Sequence, residues 1–423
     1  MVDLIYWNIE NISRDRYQRD DVREVIQNAL APVNAHGNRQ WANIYVIIEV
    51  HARGRGHGPG TIYNSAGAQG FYDIFNYLHG LDNDFAAVPP ITVGYGGYCE
   101  AVGVIYDTSK LTFAGPHVWS NFGPVPRNQL GLNAGNADAN WATLLHGQPA
   151  GTTFNAVGYP VPWNVGPFNG PTPLPAPQIR YPRIYPPGFR EFPGPDNRTP
   201  YYTQFTYQNA AHVQCTLDLF AIHTSPGIWN AGQPNGPAVA ATAMIPNLAA
   251  ASSRPGTNTM RLVVGDFNVP TNLHSPGYGN AYIPYAFGGY TMAIGDNRRN
   301  QGFEPRGTPT FFDKNDPRPY QNPDGSWQYL NLQSGSIDNA IYYHGRSVGI
   351  NSFSVIDQVQ GSPNIFRSEL ETALGHYNVH PYGTNSFQGI RNFGHICHRI
   401  PRGVAARGSV GASDHMPLLV QFE

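Results

Sequence analysis

The sequence predicts an α/β fold in which short buried strands outnumber helices, and three observations carry that expectation. Apolar runs of four to eight residues recur along the chain, many of β-branched and aromatic residues. Helical spacing is confined to a few stretches. Nearly every strand also ends in a polar side chain that could bear chemistry. At 423 residues the chain could hold one large α/β or β-sandwich domain with insertions, or two domains.

In chain order, residues 2–8 read as a first strand closing on Trp7-Asn8-Ile9-Glu10. The segment 20–30 follows, with Val22, Val25, Ile26 and Leu30 at helical spacing and acids in the first turn. Ile44 to Ile48 is a buried strand that ends at Glu49. A Gly/His/Arg-rich loop, 51–60, contains Arg53, Arg55 and His57 as solvated residues or phosphate contacts. A helix is expected over 71–81, then a hairpin of 91–93 and 101–106 around a Gly/Tyr-rich turn that ends at Glu100.

From 113 to 196 the pattern dissolves into Pro, Gly and Asn with interspersed aromatics (Trp119, Trp141, Trp163, Tyr181). This reads as an ordered insertion within a single domain. Its aromatics serve packing or base stacking. Strands resume at 203–207 and 212–223, the latter ending at His223, and a helix is expected over 238–251. Leu262 to Val264 is a buried strand followed by Gly265, Asp266 and Asn268. Side chains two apart at a strand end point the same way, so Asp266 and Asn268 would face one cleft; ordinary turn chemistry is the competing reading. The stretch 271–335 reads as loop, 337–343 as a strand containing Asp338, 350–410 as a second insertion, and 412–421 as Ser-Asp414-His415 leading into a last strand.

Composition narrows the class. Charged residues are only 13% of the chain, against about a quarter in ordinary proteins. Gly (47) and Pro (38) are abundant, so much of the chain is loop. The net charge of −2 supplies no global field for nucleic acid, and anion binding must be local. Lys110 and Lys314 are the only lysines. That fits either GC-rich coding or a protein selected to survive ubiquitin-dependent disposal in a foreign cytosol. Three widely spaced cysteines, Cys99, Cys215 and Cys397, argue against a structural zinc site and a disulfide framework. No run nears the ~18 apolar residues of a membrane span, and no signal peptide opens the sequence. The expectation is a soluble protein, cytoplasmic or exported by a leaderless route, the latter suiting a toxin or effector.

Set side by side, the strand-end residues are Asn8, Glu49, Glu100, His223, Asp266 with Asn268, Asp338, and Asp414 with His415. Hard oxygen ligands in this number suit Mg²⁺ or Mn²⁺ better than zinc, and histidines beside carboxylates suit acid–base work near neutrality. Phosphate-ester hydrolysis needs that mixture. The ordered motifs Trp-Asn8, Ile-Glu49, Tyr-Cys-Glu100, Ile-His223-Thr-Ser-Pro, Gly-Asp266-Phe-Asn268, Ile-Asp338-Asn and Ser-Asp414-His415-x-Pro resemble the endonuclease/exonuclease/phosphatase superfamily. The His223 strand end is most similar to the deoxyribonuclease I branch.

The resemblance implies a four-layer α/β-sandwich of two packed mixed sheets flanked by helices. It also implies roles. Glu49 would be the principal metal ligand, with Asn8 and Asp414 close to the metal. Asp266 would position or deprotonate water, and Asn268 would steady phosphoryl oxygens. His223 and His415 would act on the phosphate and leaving oxygen, oriented by Glu100 and Asp338. Arg198, in Arg-x-Pro, is similar to a phosphate-contacting arginine of that branch. Two departures stand out. His51 sits where that branch has arginine, and Glu10 resembles a ligand of abasic-site endonucleases. The implied activity is a Mg²⁺- or Mn²⁺-dependent nuclease acting on DNA by direct attack of water. The alternatives are a lipid phosphodiesterase of sphingomyelinase type, a phosphoinositide phosphatase, and an inactive relative used as a binding module. Within the first insertion, Arg127, Arg180, Arg183 and Arg190 are expected to meet a phosphate backbone.

Overall fold

A computed structural model describes residues 1–33, 36–50, 66–93, 100–115, 198, 200–224, 236–247, 254–269, 271, 276–295, 303–305, 310, 319–321, 327–329, 337–356, 413 and 415–423. The first half runs β1 (Val2–Ile12), α1 (Arg14–Tyr17), α2 (Asp20–Leu30), β2 (Ile44–Val50), α3 (Ala66–Leu81), β3 (Phe85–Val93), β4 (Glu100–Asp107) and β5 (Leu111–Gly115). Next come β6 (Tyr201–Gln208), β7 (Gln214–His223), α4 (Gly236–Met244), β8 (Thr259–Asp266), α5 (Pro276–Phe287) and β9 (Thr291–Met292). Four strands of two or three residues follow: β10 (Ile294–Gly295), β11 (Glu304–Pro305), β12 (Pro319–Gln321) and β13 (Trp327–Tyr329). The chain closes with β14 (Asp338–His344), β15 (Ile350–Val355) and β16 (Leu418–Phe422).

Two six-stranded mixed sheets form the body. Sheet one has the order β15-β16-β1-β2-β4-β3 and sheet two the order β5-β6-β7-β8-β14-β9. In each the central pair is parallel, β1 with β2 and β7 with β8, and every other pairing is antiparallel. The sheets meet through β1 against β8, β2 against β7 and β14 against β16. Strands of the parallel pairs are covered on both faces. That is why they read as continuous apolar runs instead of alternating ones: in β2 only Glu49 escapes full burial.

Helix α3 covers the outer face of sheet one, and Phe71 lies directly over Gly103 of β4. A Cβ there would stand 2.4 Å from the Phe71 ring. Gly265 answers a similar need in sheet two, since its Cβ would meet the Ile222 carbonyl oxygen at 2.0 Å. On the other side α4 and α5 pack together, and Tyr282 of α5 donates to the carbonyl of Val269 just beyond β8. The apolar spacing read in 20–30 is the buried stripe of α2: Val22, Val25, Ile26 and Leu30 are all buried.

The four-layer sandwich is the fold that the sequence leads one to expect, with local corrections. Part of the stretch read as loop, 271–335, is helix α5. Its proline and glycines mask it, and its apolar residues are spread around the axis instead of along one stripe. The second insertion cannot begin at 350, because β15 pairs with β16 as the edge of sheet one. The helix expected over 238–251 runs as α4 and ends in a 3₁₀ turn, Ile245–Asn247, at a proline. The first insertion leaves from β5 and returns to β6, two paired strands at the edge of sheet two. Its interior, with Arg127, Arg180, Arg183 and Arg190, lies outside the described residues, as does most of 350–410. Cys215 is a free, buried thiol. Among the described residues no helix is long and apolar enough to cross a membrane.

Candidate active site

The C-terminal ends of β1, β2, β7 and β8 gather at one end of the sandwich, beside the starts of β4 and β14. In sheet two the delivery is a single rung: His223, Asp266 and Asp338 are register partners across β7, β8 and β14. Side chains on one rung point to the same face, about 4.8 Å apart. Sheet one contributes Asn8, Glu49 and Glu100 through irregular backbone. The β1–β2 register shifts after Asn8 and the β2–β4 register shifts after Ile47. Glu49, Glu10 and Asn11 there adopt left-handed φ of 53°, 49° and 57°.

Each histidine is held by a carboxylate from the opposite sheet. His223 Nδ1 lies 2.8 and 2.7 Å from the two oxygens of Glu100. His415 Nδ1 lies 2.8 Å from Asp338 Oδ2. With a proton on Nδ1 in both, the two Nε2 lone pairs turn toward Asp266 Oδ2, at 3.5 Å from His223 and 3.7 Å from His415. His223 Nε2 is also 3.5 Å from Glu49 Oε1. Asn8 sits between these groups. Its Oδ1 accepts the peptide N–H of Glu10 at 3.0 Å, which fixes the amide orientation. Its Nδ2 therefore faces Glu49 Oε1, Asp266 Oδ2 and His415 Nε2, at 3.1, 3.2 and 3.3 Å.

The backing of the two pairs differs. Asp338 receives the Tyr6 hydroxyl on Oδ1 at 2.9 Å and gives its own peptide N–H to Thr310 Oγ1 at 3.1 Å. Glu100 is approached by Arg198, whose guanidinium lies 3.5 Å from Oε2 and 2.9 Å from His223 Nδ1. A guanidinium donates and cannot accept, so the Nδ1 proton goes to the bidentate carboxylate of Glu100. Arg198 thus acts on the pair as a charge. The main chain of His415 is also fixed: Trp7 Nε1 donates to its carbonyl at 2.8 Å and its N–H donates to Ser413 Oγ at 3.0 Å.

Burial sets the electrostatics. Desolvation pushes the Glu100 carboxyl up to about 7, against the pull of Arg198. Burial, and then the charge of Asp338, hold the Asp266 carboxyl well above the usual carboxylate range. Desolvation and then Arg198 keep the His223 imidazole well below its ordinary value, so it stands neutral. Two trios of donors, Glu49 with Glu100 and His223, and Asp266 with Asp338 and His415, each bring ligand atoms within 4.8 Å of one another. Carboxylate oxygens and neutral imidazole lone pairs converging with so little positive charge between them fit a divalent cation. Asn8 as oriented donates to this group, and ligation through its oxygen requires the amide to turn over.

Of the residues expected at the site, Asn8, Glu49, Glu100, Arg198, His223, Asp266, Asp338 and His415 come together. Asn268 joins them differently from the expectation. With φ at 48° it has left the strand, so the two-residue period no longer applies. Its N–H donates to Asp266 Oδ1 at 2.8 Å and its Nδ2 to the Thr224 carbonyl at 2.8 Å, which is turn chemistry in the service of Asp266. Glu10 takes part through its backbone, its carbonyl accepting from Arg16. Asp414, His51, Arg53, Arg55 and His57 lie outside the described residues. Sequence reasoning missed Tyr6, Asn11 and Thr310. A tyrosine in an apolar strand carries no mark that separates it from core.

No family model matches the sequence, and no curated protein matches it. Solved structures do. An endonuclease/exonuclease/phosphatase family protein from Leptotrichia buccalis is 10% identical with a TM-score of 0.41, covering 100% of both chains. A mannosyl-6-phosphatase from Bacteroides thetaiotaomicron is 11% identical at 0.40, again over 100% of both. D. rerio TDP2 complexed with a single-strand DNA product is 8% identical at 0.38, over 100% of this chain and 98% of that one. Likeness at this level carries no argument, and both the fold and the chemistry rest on the geometry above. Two packed six-stranded mixed sheets with helices outside, and these polar side chains at the strand ends, make the four-layer α/β-sandwich that the motifs lead one to expect.

Proposed function

We propose that the protein is a divalent-metal-dependent phosphodiesterase, a nuclease whose substrate is DNA. The observation that carries this reading is the convergence of two histidine–carboxylate pairs, Glu100–His223 and Asp338–His415, on Asp266. Glu49 and the acids beside it, with Asp414 as its motif leads one to expect, would hold Mg²⁺ or Mn²⁺. A bound cation would offset the charge of the phosphoryl oxygens. Asp266, its carboxyl raised well above the usual carboxylate range by burial, suits orienting and deprotonating a water. Asn8 Nδ2 and the two imidazoles suit hydrogen bonding to phosphoryl oxygens and protonation of the leaving oxygen.

Direct attack by water follows from what the hydroxyls are doing. Ser413 Oγ donates to the Asn8 carbonyl at 2.6 Å and Thr224 Oγ1 to the Phe267 carbonyl at 2.6 Å. Among the described residues neither is presented as a nucleophile. Arg198, expected on a substrate phosphate, is placed to serve the Glu100–His223 pair as well. DNA comes first because the His223-Thr-Ser-Pro strand end resembles the deoxyribonuclease I branch. The complete set of acid–base pairs speaks against an inactive binding module.

Incubation with supercoiled plasmid, RNA, sphingomyelin vesicles and a phosphoinositide, with Mg²⁺, Mn²⁺ or excess chelator, tests the reading. Plasmid cleavage that needs the metal and disappears in His415→Ala supports it. Turnover of lipid alone moves the substrate to the phospholipid class. Full activity in chelator, or a trapped phosphoryl-enzyme, overturns the mechanism.

A further inference from the structure

We propose that Tyr6 is a positioning residue that fixes the Asp338 carboxylate and, through it, the imidazole of His415. The inference rests on the hydrolytic reading of the site and names a residue that reading does not require. Tyr6 is fully buried on β1 of sheet one, and its hydroxyl crosses to sheet two to donate to Asp338 Oδ1 at 2.9 Å. The second oxygen of that carboxylate holds His415 Nδ1 at 2.8 Å. With Thr310 on its peptide N–H, Asp338 is pinned at both side-chain oxygens and at its backbone.

The remaining freedom of the site explains why this matters. Trp7 and Ser413 fix the main chain of His415, so rotation of the ring is what Asp338 must control. A carboxylate held by one oxygen can swing about its own axis, and a ring bonded to it swings too. Held by both, it presents Nε2 to Asp266 and Asn8 in one orientation. Hydrogen bonds to a charged carboxylate are among the stronger ones in a buried site. The neighbouring residues on β1 divide the work: Tyr6 sets the side chain of His415 through Asp338, Trp7 its backbone, and Asn8 meets its Nε2.

The test is Tyr6→Phe in the full chain, with Tyr45→Phe as a matched control. Tyr45 is equally buried on β2, and its hydroxyl donates to the Leu30 carbonyl at 3.0 Å beneath α2. For Tyr6→Phe, kcat on the phosphodiester is expected to fall roughly tenfold with KM nearly unchanged, as loss of an outer hydrogen-bond partner does elsewhere. Tyr45→Phe should leave kcat in place. The double variant Tyr6→Phe/Asp338→Asn should be no slower than Asp338→Asn alone. An unchanged kcat in Tyr6→Phe, an equal fall in both tyrosine variants, or multiplying effects in the double variant overturns the proposal.

A second readout does not need turnover. In ¹⁵N-histidine spectra at fixed pH, the Nδ1–H signal of His415 should move in Tyr6→Phe and stay in Tyr45→Phe. A protein that hydrolyses none of the substrates fails the functional reading, while this signal still decides the role of Tyr6; an unmoved signal overturns it. If Tyr6→Phe does not fold, the hydroxyl proton of labelled Tyr6 in the wild-type chain decides. Slow exchange and a contact to the His415 ring are expected, and fast exchange overturns the inference.

Discussion

Sheets one and two repeat the same sequence of strand directions, yet they carry acids to the site in opposite ways. Sheet two does it with regular structure: three side chains on one unbroken rung of β7, β8 and β14. Sheet one does it with shifted registers and three consecutive or nearby left-handed residues around Asn8 and Glu49. A non-glycine residue held at positive φ costs roughly 1 kcal/mol or more and persists where its surroundings impose it. The side chains differ accordingly. Glu49 keeps 16% of its side-chain surface exposed, and Asp266 keeps 3%. A bulged, accessible acid suits a cation that exchanges with solvent, and a buried acid on a straight ladder suits a fixed proton acceptor.

The largest effects expected are those that set the two halves against each other. Asp266→Asn and Glu49→Gln should each lower kcat by roughly a thousandfold, near the upper reach of lost acid–base or ligand chemistry. They should part under excess Mg²⁺ or Mn²⁺, which restores some activity to Glu49→Gln and none to Asp266→Asn. Metal rescue of Asp266→Asn would reverse the assignment of the two sheets. Next come the orienting acids: Glu100→Gln and Asp338→Asn should each cost about ten- to a hundredfold in kcat.

A smaller effect separates the backing of the two pairs. Arg198 pulls the Glu100 carboxyl down and the His223 imidazole down. Arg198→Met removes both pulls, so both groups release their protons at higher pH and the acid limb of kcat/KM moves upward. The same substitution should leave the Asp338–His415 pair alone, which ¹⁵N-histidine spectra can read. Stability should follow the carboxylates. Glu100 keeps its proton in the folded chain between its ordinary value near 4.5 and about 7, and Asp266 is raised in the same direction. The stability this contributes is present at low pH and is lost as pH rises through about 7. The His223 imidazole, kept neutral by burial, works the other way below its ordinary value of 6.5, so the cation is the readout: added Mn²⁺ should raise the melting temperature more at pH 7.5 than at pH 5. Smallest of all, Asn11→Gly relieves a φ of 57° but removes the 3.0 Å donor to Glu49 Oε2. A melting point within a few degrees of wild type with weaker cation affinity is expected; calorimetric titration checks it.

What the sequence reveals tracks this contrast. The rung of sheet two was legible, because an apolar run followed by a polar residue places His223 and Asp266, and a polar residue ahead of one places Asp338. The residues of sheet one were legible as identities and not as geometry, since a bulge has no period. Nothing in Ile47-Ile48-Glu49-Val50 announces that Glu49 turns left-handed. Asn268 misled for the same reason: the extended backbone on which the two-residue rule depends ends one residue too early. Tyr6 and Thr310 were invisible because their value lies in contacts with Asp338, 332 and 28 positions away, that only the folded chain brings about. Helix α5 was hidden by its proline and by a composition without an apolar stripe.

Each histidine of the site and the carboxylate that holds it come from different sheets. Glu100 and His415 ride on sheet one, and His223 and Asp338 on sheet two. A chain in which only one sheet has formed therefore contains two histidines without partners and two acids without tasks. Competence arrives only when the sheets close on each other, so a newly made or half-unfolded chain is chemically silent. Under the nuclease reading proposed above, that delay would spare the nucleic acid of the cell that makes the protein.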